Sequence, residues 1–283
     1  MNFLEILKAI VLGIIQGITE WLPISSTGHM ILFNEFVKLK LSSEFLDLFL
    51  LLIQLASIFA VIFLYFKKLN PFKKGNNTVK LDKDTFNLWI KIFVGCIPLV
   101  IGAFLDDLVH KKFYNSLVVS LTLILYGILF ILIEKQKIRS TVKSTNQITF
   151  GKSFLIGIFQ ILAIVPGTSR SGATILGALT LGISRTVATE YSFFLAIPTM
   201  FGASLYKILK YVVKFGVNFS FLELMVLLVG SIVSFIVSLI SIKALTNYVK
   251  KHNFSAFGHY RIILGLLILV YFFVLKPIFR CSI

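Results

Sequence analysis

The sequence predicts an all-α integral membrane protein arranged as an inverted-topology repeat, each half one re-entrant helix-loop-helix plus three transmembrane helices. Three observations carry that expectation. Of the 283 residues, 57% are hydrophobic and only 14% charged, against roughly 25% in an ordinary soluble domain, and mean hydropathy is +0.93. Six apolar runs are long enough to cross a bilayer of about 30 Å, which takes roughly 17 to 25 helical residues. Two shorter apolar stretches, similar to each other, each run into a polar segment. No Pro/Gly/Ser-rich linker divides the chain, so it reads as a single membrane domain over 1–283, with repeat 1 about 1–145 and repeat 2 about 146–283.

In chain order, the first short stretch covers residues 9–18 and leads into "TEWLPISSTGHM" (19–30). Glu5 and Lys8 interrupt the N-terminus and no small-residue cleavage site follows, so it is expected to remain on the mature protein. A stretch this short cannot cross, and its length class is re-entrant or interfacial. Irregular backbone at membrane depth is tolerated only inside protein or beside a wet cavity, which makes this segment a place to seek a site. Spans are expected at 47–66, 86–105 and 117–133; the second short stretch, 153–165, enters "PGTSRSGAT" (166–174), and further spans are expected at 187–209, 221–242 and 261–279. Lys91, Glu190 and Glu223 fall near the ends of their spans, where a charge can reach the interface.

Aligning "LGIIQGITEWLPISSTGHMIL" (12–32) with "IGIFQILAIVPGTSRSGATIL" (156–176) pairs Gly13 with Gly157, Gln16 with Gln160 and Gly28 with Gly172, all 144 positions apart, while Pro23 and Pro166 differ by 143. An odd number of spans in each half inverts the second copy relative to the first, a design whose sites lie near the midplane at the repeat interface. Gly13 and Gly17 form a small-xxx-small pair that can pack helices within one chain or between two. Packing between two chains would make a homodimer.

The net charge of +16 resides mostly in short loops, as the cytoplasmic-loop preference for Lys and Arg requires, so no nucleic-acid partner is expected. With both termini outside, residues 67–83, 134–152 and 243–261 bring fifteen Lys/Arg to the cytoplasm against ten on the other side. Cys96 and Cys281 stand far apart and in no ligand spacing, which argues against both a disulfide framework and a zinc site.

The chemistry gathers in the two polar segments. Gln16 and Glu20 share a helix face one turn apart, and a carboxylate at membrane depth is itself a functional signal. Glu20 can act in chemistry, or it can pair with Arg170 and tie the halves together. Ser25, Ser26, Thr27, Gly28 and His29 follow the turn at Pro23; taken alone, such a cluster is as well explained by a helix cap. In the second copy Ser169 and Ser171 flank Arg170, with Gly167, Gly172 and Thr174 nearby. Glycines let backbone N–H groups converge on an anion, a following helix offers its positive end, and guanidinium grips phosphate oxygens in a planar fork. Neither Gly-x-Gly-x-x-Gly nor Gly-Lys-Ser/Thr occurs, so no nucleotide fold is indicated. What remains is a phosphate-type anion site inside a membrane, opposite hydroxyls, a carboxylate and an imidazole. The same inverted repeat also describes a secondary transporter or an anionic-lipid flippase.

These residues carry a resemblance. The chain resembles the bacterial undecaprenyl-diphosphate phosphatases, the bacitracin-resistance family, in Gln16 to Glu20 (Glu/Gln-x-x-x-Glu), in Pro166 to Thr174 (Pro-Gly-x-Ser-Arg-Ser-x-x-Thr), in "LPISSTGHM" and in "ISRTVATEYSFFLAIPTM" (183–200). The resemblance implies an enzyme of the bacterial plasma membrane, facing its outer side, that removes the terminal phosphate of the C55 carrier diphosphate and recycles the carrier for cell-wall synthesis. It implies a polyprenyl diphosphate substrate, a divalent metal, Mg2+ or Ca2+, near Glu20 and Gln16, and Arg170 as a catalytic cation. Gln16, Ser25, Thr27, Gly167, Ser169, Ser171 and Thr174 would hold the diphosphate. The nucleophile is Ser26, expected to be hydrogen-bonded to His29, or His29 itself, or an activated water. Where many members carry Glu, this chain has Gln16, an amide that can ligate a metal but cannot take a proton.

Overall fold

The computed structural model describes residues 3–37, 39–74, 79–216 and 218–277. The last two residues of the span expected at 261–279 lie outside the described residues, as do Lys38, Arg280 and Cys281. The helices are α1 (Phe3–Thr19), α2 (Ser26–Phe36), α3 (Ser43–Leu64), α4 (Phe66–Leu69), α5 (Lys83–Phe113), α6 (Ser116–Lys135), α7 (Phe150–Ile161), α8 (Arg170–Thr180), α9 (Arg185–Phe215), α10 (Phe221–Val249) and α11 (Ser255–Val270). A π-helical turn, Tyr271–Leu275, prolongs α11. All six expected spans coincide with long helices. Among the described residues five of these, α3, α6, α9, α10 and α11 with its extension, are long and apolar enough to cross a membrane, and α5 occupies the sixth position over 31 residues, with Pro98 inside it. Side chains such as Phe63, Val213 and Ile240, 63 to 87% exposed, would be liabilities in water and suit a lipid-facing surface. The architecture is that of an all-α, multi-pass membrane protein.

One small departure from the all-helical expectation lies in segment 67–83, where β1 (Phe72–Lys74) pairs antiparallel with β2 (Val79–Leu81). Lys73 and Thr85 both donate to the Asp82 carboxylate, which holds that carboxyl below its usual range and fastens the hairpin to the start of α5. The three basic segments meet at one end of the molecule. Trp89 Nε1 donates to Leu69 O at 2.7 Å, Lys91 Nζ to Asn146 O at 2.8 Å, and the Glu134 carboxylate accepts from Arg185 and from Phe254 N. Lys91 is thus buried as a loop anchor instead of reaching for the interface.

Glycines set the closest helix crossings. A Cβ on Gly13 would lie 2.7 Å from Gly230 O and one on Gly17 2.8 Å from Ser234 O, so this small-residue pair packs α1 against α10 of the same chain. The equivalent Gly157 presses α7 onto α5, where a Cβ would come 2.2 Å from Gly95 O. Backbone cannot yield as a flexible side chain does, and overpacking costs about 1–3 kcal/mol. Gly157→Ala is therefore expected to lower the thermal midpoint in detergent by several degrees, as read by tryptophan fluorescence, whereas alanine at Gly202, whose Cβ would meet nothing within 4 Å, should leave it unchanged.

Candidate functional site

Each short helix pair is broken by a proline and restarted by a serine cap. After α1 the chain turns through Trp21-Leu22-Pro23, and Ser25, at φ 73°, caps α2 by accepting Gly28 N at 3.3 Å. After α7 comes a single 3-10 turn, Leu162–Ile164, then Pro166-Gly167, and Ser169, at φ 70°, caps α8 by accepting Gly172 N at 3.1 Å. Left-handed backbone at a residue with a Cβ costs on the order of 1–3 kcal/mol and persists only where the surroundings impose it. The two strained caps are 144 positions apart, the separation seen in the sequence. Gly167, at φ +89°, leaves no room for a side chain, since a Cβ would lie 2.1 Å from Thr122 Oγ1.

The two bends meet. Arg170 NH2 donates to Glu20 Oε1 at 3.2 Å across 150 positions of sequence, while its NH1 donates to Ser192 O at 2.9 Å. The other carboxylate oxygen, Oε2, accepts from Gln16 Nε2 at 3.0 Å and from Ser26 Oγ at 3.2 Å. Ser171 Oγ reaches Glu20 O and Leu22 O, each at 3.3 Å, and Ser169 Oγ lies 3.1 Å from Ser171 Oγ. Thr174 Oγ1 is 2.6 Å from Ser192 Oγ. Glu20 is 6% exposed and Gln16 5%, so these contacts operate with little water between them, where charge-assisted bonds are strong. The Trp21 ring lies 5.8 Å from the guanidinium Cζ and packs T-shaped with Phe193.

One expected contact is replaced. His29 does not serve Ser26; its Nδ1 is 2.7 Å from Ser25 O and its Nε2 2.7 Å from Tyr260 OH, with the two rings stacked. The carbonyl can only accept, so Nδ1 carries the proton, and in the neutral imidazole the tyrosine hydroxyl donates to Nε2. The helical spacing of residues 25 and 29 favours this local bond over one to Ser26, and Ser26 turns to Glu20.

Sequence reasoning also misplaced Arg261, counted above among the cytoplasmic loop cations. It is 0% exposed and joins both bends, donating from NH1 to Pro23 O at 3.1 Å and from NH2 to Gly167 O and Thr168 O, each at 2.9 Å. The signal was available: "HYRII" (259–263) puts a guanidinium at the mouth of an apolar run, and an intramembrane ionisable group is a functional candidate by default. Ser192 and Tyr260 were missed as well, although Ser192 lies within the 183–200 stretch that carries the resemblance and Tyr260 stands next to Arg261.

Among the described residues, Arg170 Nε and both amide atoms of Gln160 are buried without a hydrogen-bond partner. Ile164 occupies, in the second copy, the position of Glu20, so Gln160 has lost the mate that Gln16 keeps. Gln16, Ser26 and Thr27 open onto a cleft of about 580 Å3. Together these groups can bind a polyanion, polarise a hydroxyl and accept its proton.

Comparison with known proteins agrees with this chemistry. The family described as Bacitracin resistance protein BacA matches residues 9–267. The undecaprenyl-diphosphatase of Desulfitobacterium hafniense is 57% identical over 277 residues, 96% of this chain and 98% of its own. That of Enterococcus faecalis is 54% identical over 96% of this chain and 99% of its own, and undecaprenyl-diphosphatase 1 of Clostridioides difficile 52% identical over 97% and 98%.

Proposed function

The chain belongs to the bacitracin-resistance protein BacA family, and from that membership and the meeting of Glu20 with Arg170 we propose that it is an undecaprenyl-diphosphate phosphatase that recycles the lipid carrier. The observation that carries the reading is the 3.2 Å contact between a carboxylate and a guanidinium that come from different halves of the chain. In phosphoryl transfer the protein supplies mainly alignment and charge stabilisation. Glu20 takes the Ser26 proton as Ser26 Oγ bonds to the terminal phosphorus and the bond to the bridging oxygen breaks; the proton passes from Glu20 to the departing lipid monophosphate, which leaves Glu20 a carboxylate again. Water then gives a proton to Glu20 and bonds to the phosphoserine phosphorus, the P–Oγ bond breaks, and Glu20 returns the proton to Ser26 Oγ as inorganic phosphate departs. Arg170, with an unpartnered Nε in reserve, holds the charge that develops, beside Ser169, Ser171 and Thr174. His29 braces the Ser25 cap.

The residues fit a divalent metal that arrives with the substrate. Mg2+ is commonly held by one or two carboxylates plus phosphate oxygens. Glu20, the carbonyl oxygen of Gln16 and Ser26 Oγ are hard oxygen donors, while no group of three His, Cys, Asp or Glu side chains among the described residues forms a cage. The metal would neutralise phosphate charge. We extend the proposal to an inverted repeat with two re-entrant elements in one membrane domain, supported by the matched serine caps and by the glycine-lined pairings of α1 with α10 and of α7 with α5. We place the site towards the outer side of the bacterial plasma membrane, on the Lys/Arg distribution. A transporter would have no use for the contact between Ser26 and Glu20, and the three relatives compared are named for the phosphatase activity.

The test is phosphate release from undecaprenyl diphosphate by purified protein with Mg2+, expected in the wild type and lost in Glu20→Ala. A 32P-labelled phosphoserine at position 26 should accumulate in a rapid acid quench; label on His29 would overturn the assignment of the nucleophile. A wild type that releases no phosphate would sink the function. Gln16→Glu adds a second carboxylate beside Glu20 and is expected to lower the Mg2+ concentration for half-maximal activity by about tenfold, roughly 1.4 kcal/mol of metal affinity, in a metal titration of the same assay.

A further inference from the structure

The chemistry described so far uses none of Lys207, Lys210 and Lys214. Spacings of three and four align them as one row near the end of α9, and all three are exposed. Cations on a membrane-spanning helix are costly unless they face water, an anion or the interface. This row lines the same cleft onto which Gln16, Ser26 and Thr27 open. The facing wall is one side of α3, where Glu44, Asp47, Leu51 and Gln54 recur at helical spacing and extend about 15 Å at 1.5 Å per residue. Glu44 interacts electrostatically with Lys214, whereas among the described residues no ion pair engages Lys207 or Lys210.

We propose that Lys207, Lys210 and Lys214 form a second phosphate-binding station at the mouth of the cleft, which draws the diphosphate headgroup in toward Gln16, Ser26 and Thr27 and passes released inorganic phosphate out. The inference rests on the phosphatase reading above. Its logic is one of depth. A tail held among lipids leaves the headgroup at the interface, and the polyanion must reach Ser26 through a cleft in which Glu44 and Asp47 would repel it unless cations outnumber them, as Lys207, Lys210 and Lys214 do. Ammonium groups about one helical turn apart offer successive points of attachment. Lysine suits transit where arginine suits capture, because a hydrated point charge binds phosphate without the bidentate clamp. The row also accounts for three of the ten cations that the sequence assigned to the outer side, which blunted the orientation signal.

The test compares wild type, K207A/K210A/K214A and K207R/K210R/K214R, all full length, in neutral detergent micelles, with undecaprenyl diphosphate and a short prenyl diphosphate as substrates. For the alanine variant kcat/KM is expected to fall about tenfold, the low end of electrostatic steering, with kcat within about twofold of wild type, a flattened salt dependence, weaker product inhibition by inorganic phosphate and an unchanged melting profile. The arginine variant should restore kcat/KM and, by its bidentate grip, strengthen product inhibition by inorganic phosphate beyond that of wild type. An unchanged kcat/KM, or a fall in kcat alone, overturns the proposal. So does a defect confined to vesicles containing phosphatidylglycerol and absent from micelles and pure phosphatidylcholine, which would assign the lysines to bulk lipid headgroups. A wild type without phosphatase activity, or an active Glu20→Ala, is a different result: it removes the functional reading itself, and this inference with it.

Discussion

Arg170→Ala is expected to lower phosphate release by about 10³-fold or more, the scale set by arginines that stabilise charge in phosphoryl transfer. The guanidinium bridges Glu20 Oε1 and Ser192 O, so its loss removes the anion's main cation and leaves a buried carboxylate answered only by Gln16 and Ser26. Breaking a buried pair costs about 3–5 kcal/mol, so some loss of activity could follow from unfolding. Arg170→Lys separates the effects: it keeps the charge and the fold but cannot reach two acceptors at once, and should still lose about 10²-fold in kcat with a near-normal melt. An Arg170→Lys enzyme as active as wild type would refute the role given to the fork.

Arg261→Met should act on the architecture first. Three backbone carbonyls, those of Pro23, Gly167 and Thr168, depend on this one side chain, and buried acceptors without donors cost about 1–3 kcal/mol each. A fall of the melting midpoint on the order of 10 °C or more is expected, with activity lost even at temperatures where the protein stays folded, because the two bends no longer hold register. Measuring phosphate release well below the midpoint checks the second half. Arg261→Lys, able to satisfy part of the set, should fall between.

The spans were legible because hydropathy averaged over some twenty residues reports an environment without needing a partner. The bends were legible for the converse reason: polar groups, prolines and glycines stand out against an apolar background. Pairings were harder. A helical pattern names the face that must be covered and says nothing of what covers it, so Gly13 and Gly17 announced a close crossing while α10 as its other side had to come from the fold. Arg261 was misread because a cation beside an apolar run looks the same whether it flanks a membrane or plugs a protein core. Ser26 was paired with His29 on proximity in sequence, and a three-residue spacing gave no sign that the Ser25 carbonyl and Tyr260 would claim both ring nitrogens.

The pairing of Arg170 with Glu20 has a consequence for which anions the proposed site would admit. Glu20 occupies part of the guanidinium edge that an incoming anion would seek, so a carboxylate of the protein itself competes for that position. A singly charged visitor such as chloride or bicarbonate gains little by exchanging places with a carboxylate already desolvated and aligned. Only a guest with charge to spare can share the cation and still find donors left over, which makes the site a threshold that discriminates by valence before shape is consulted.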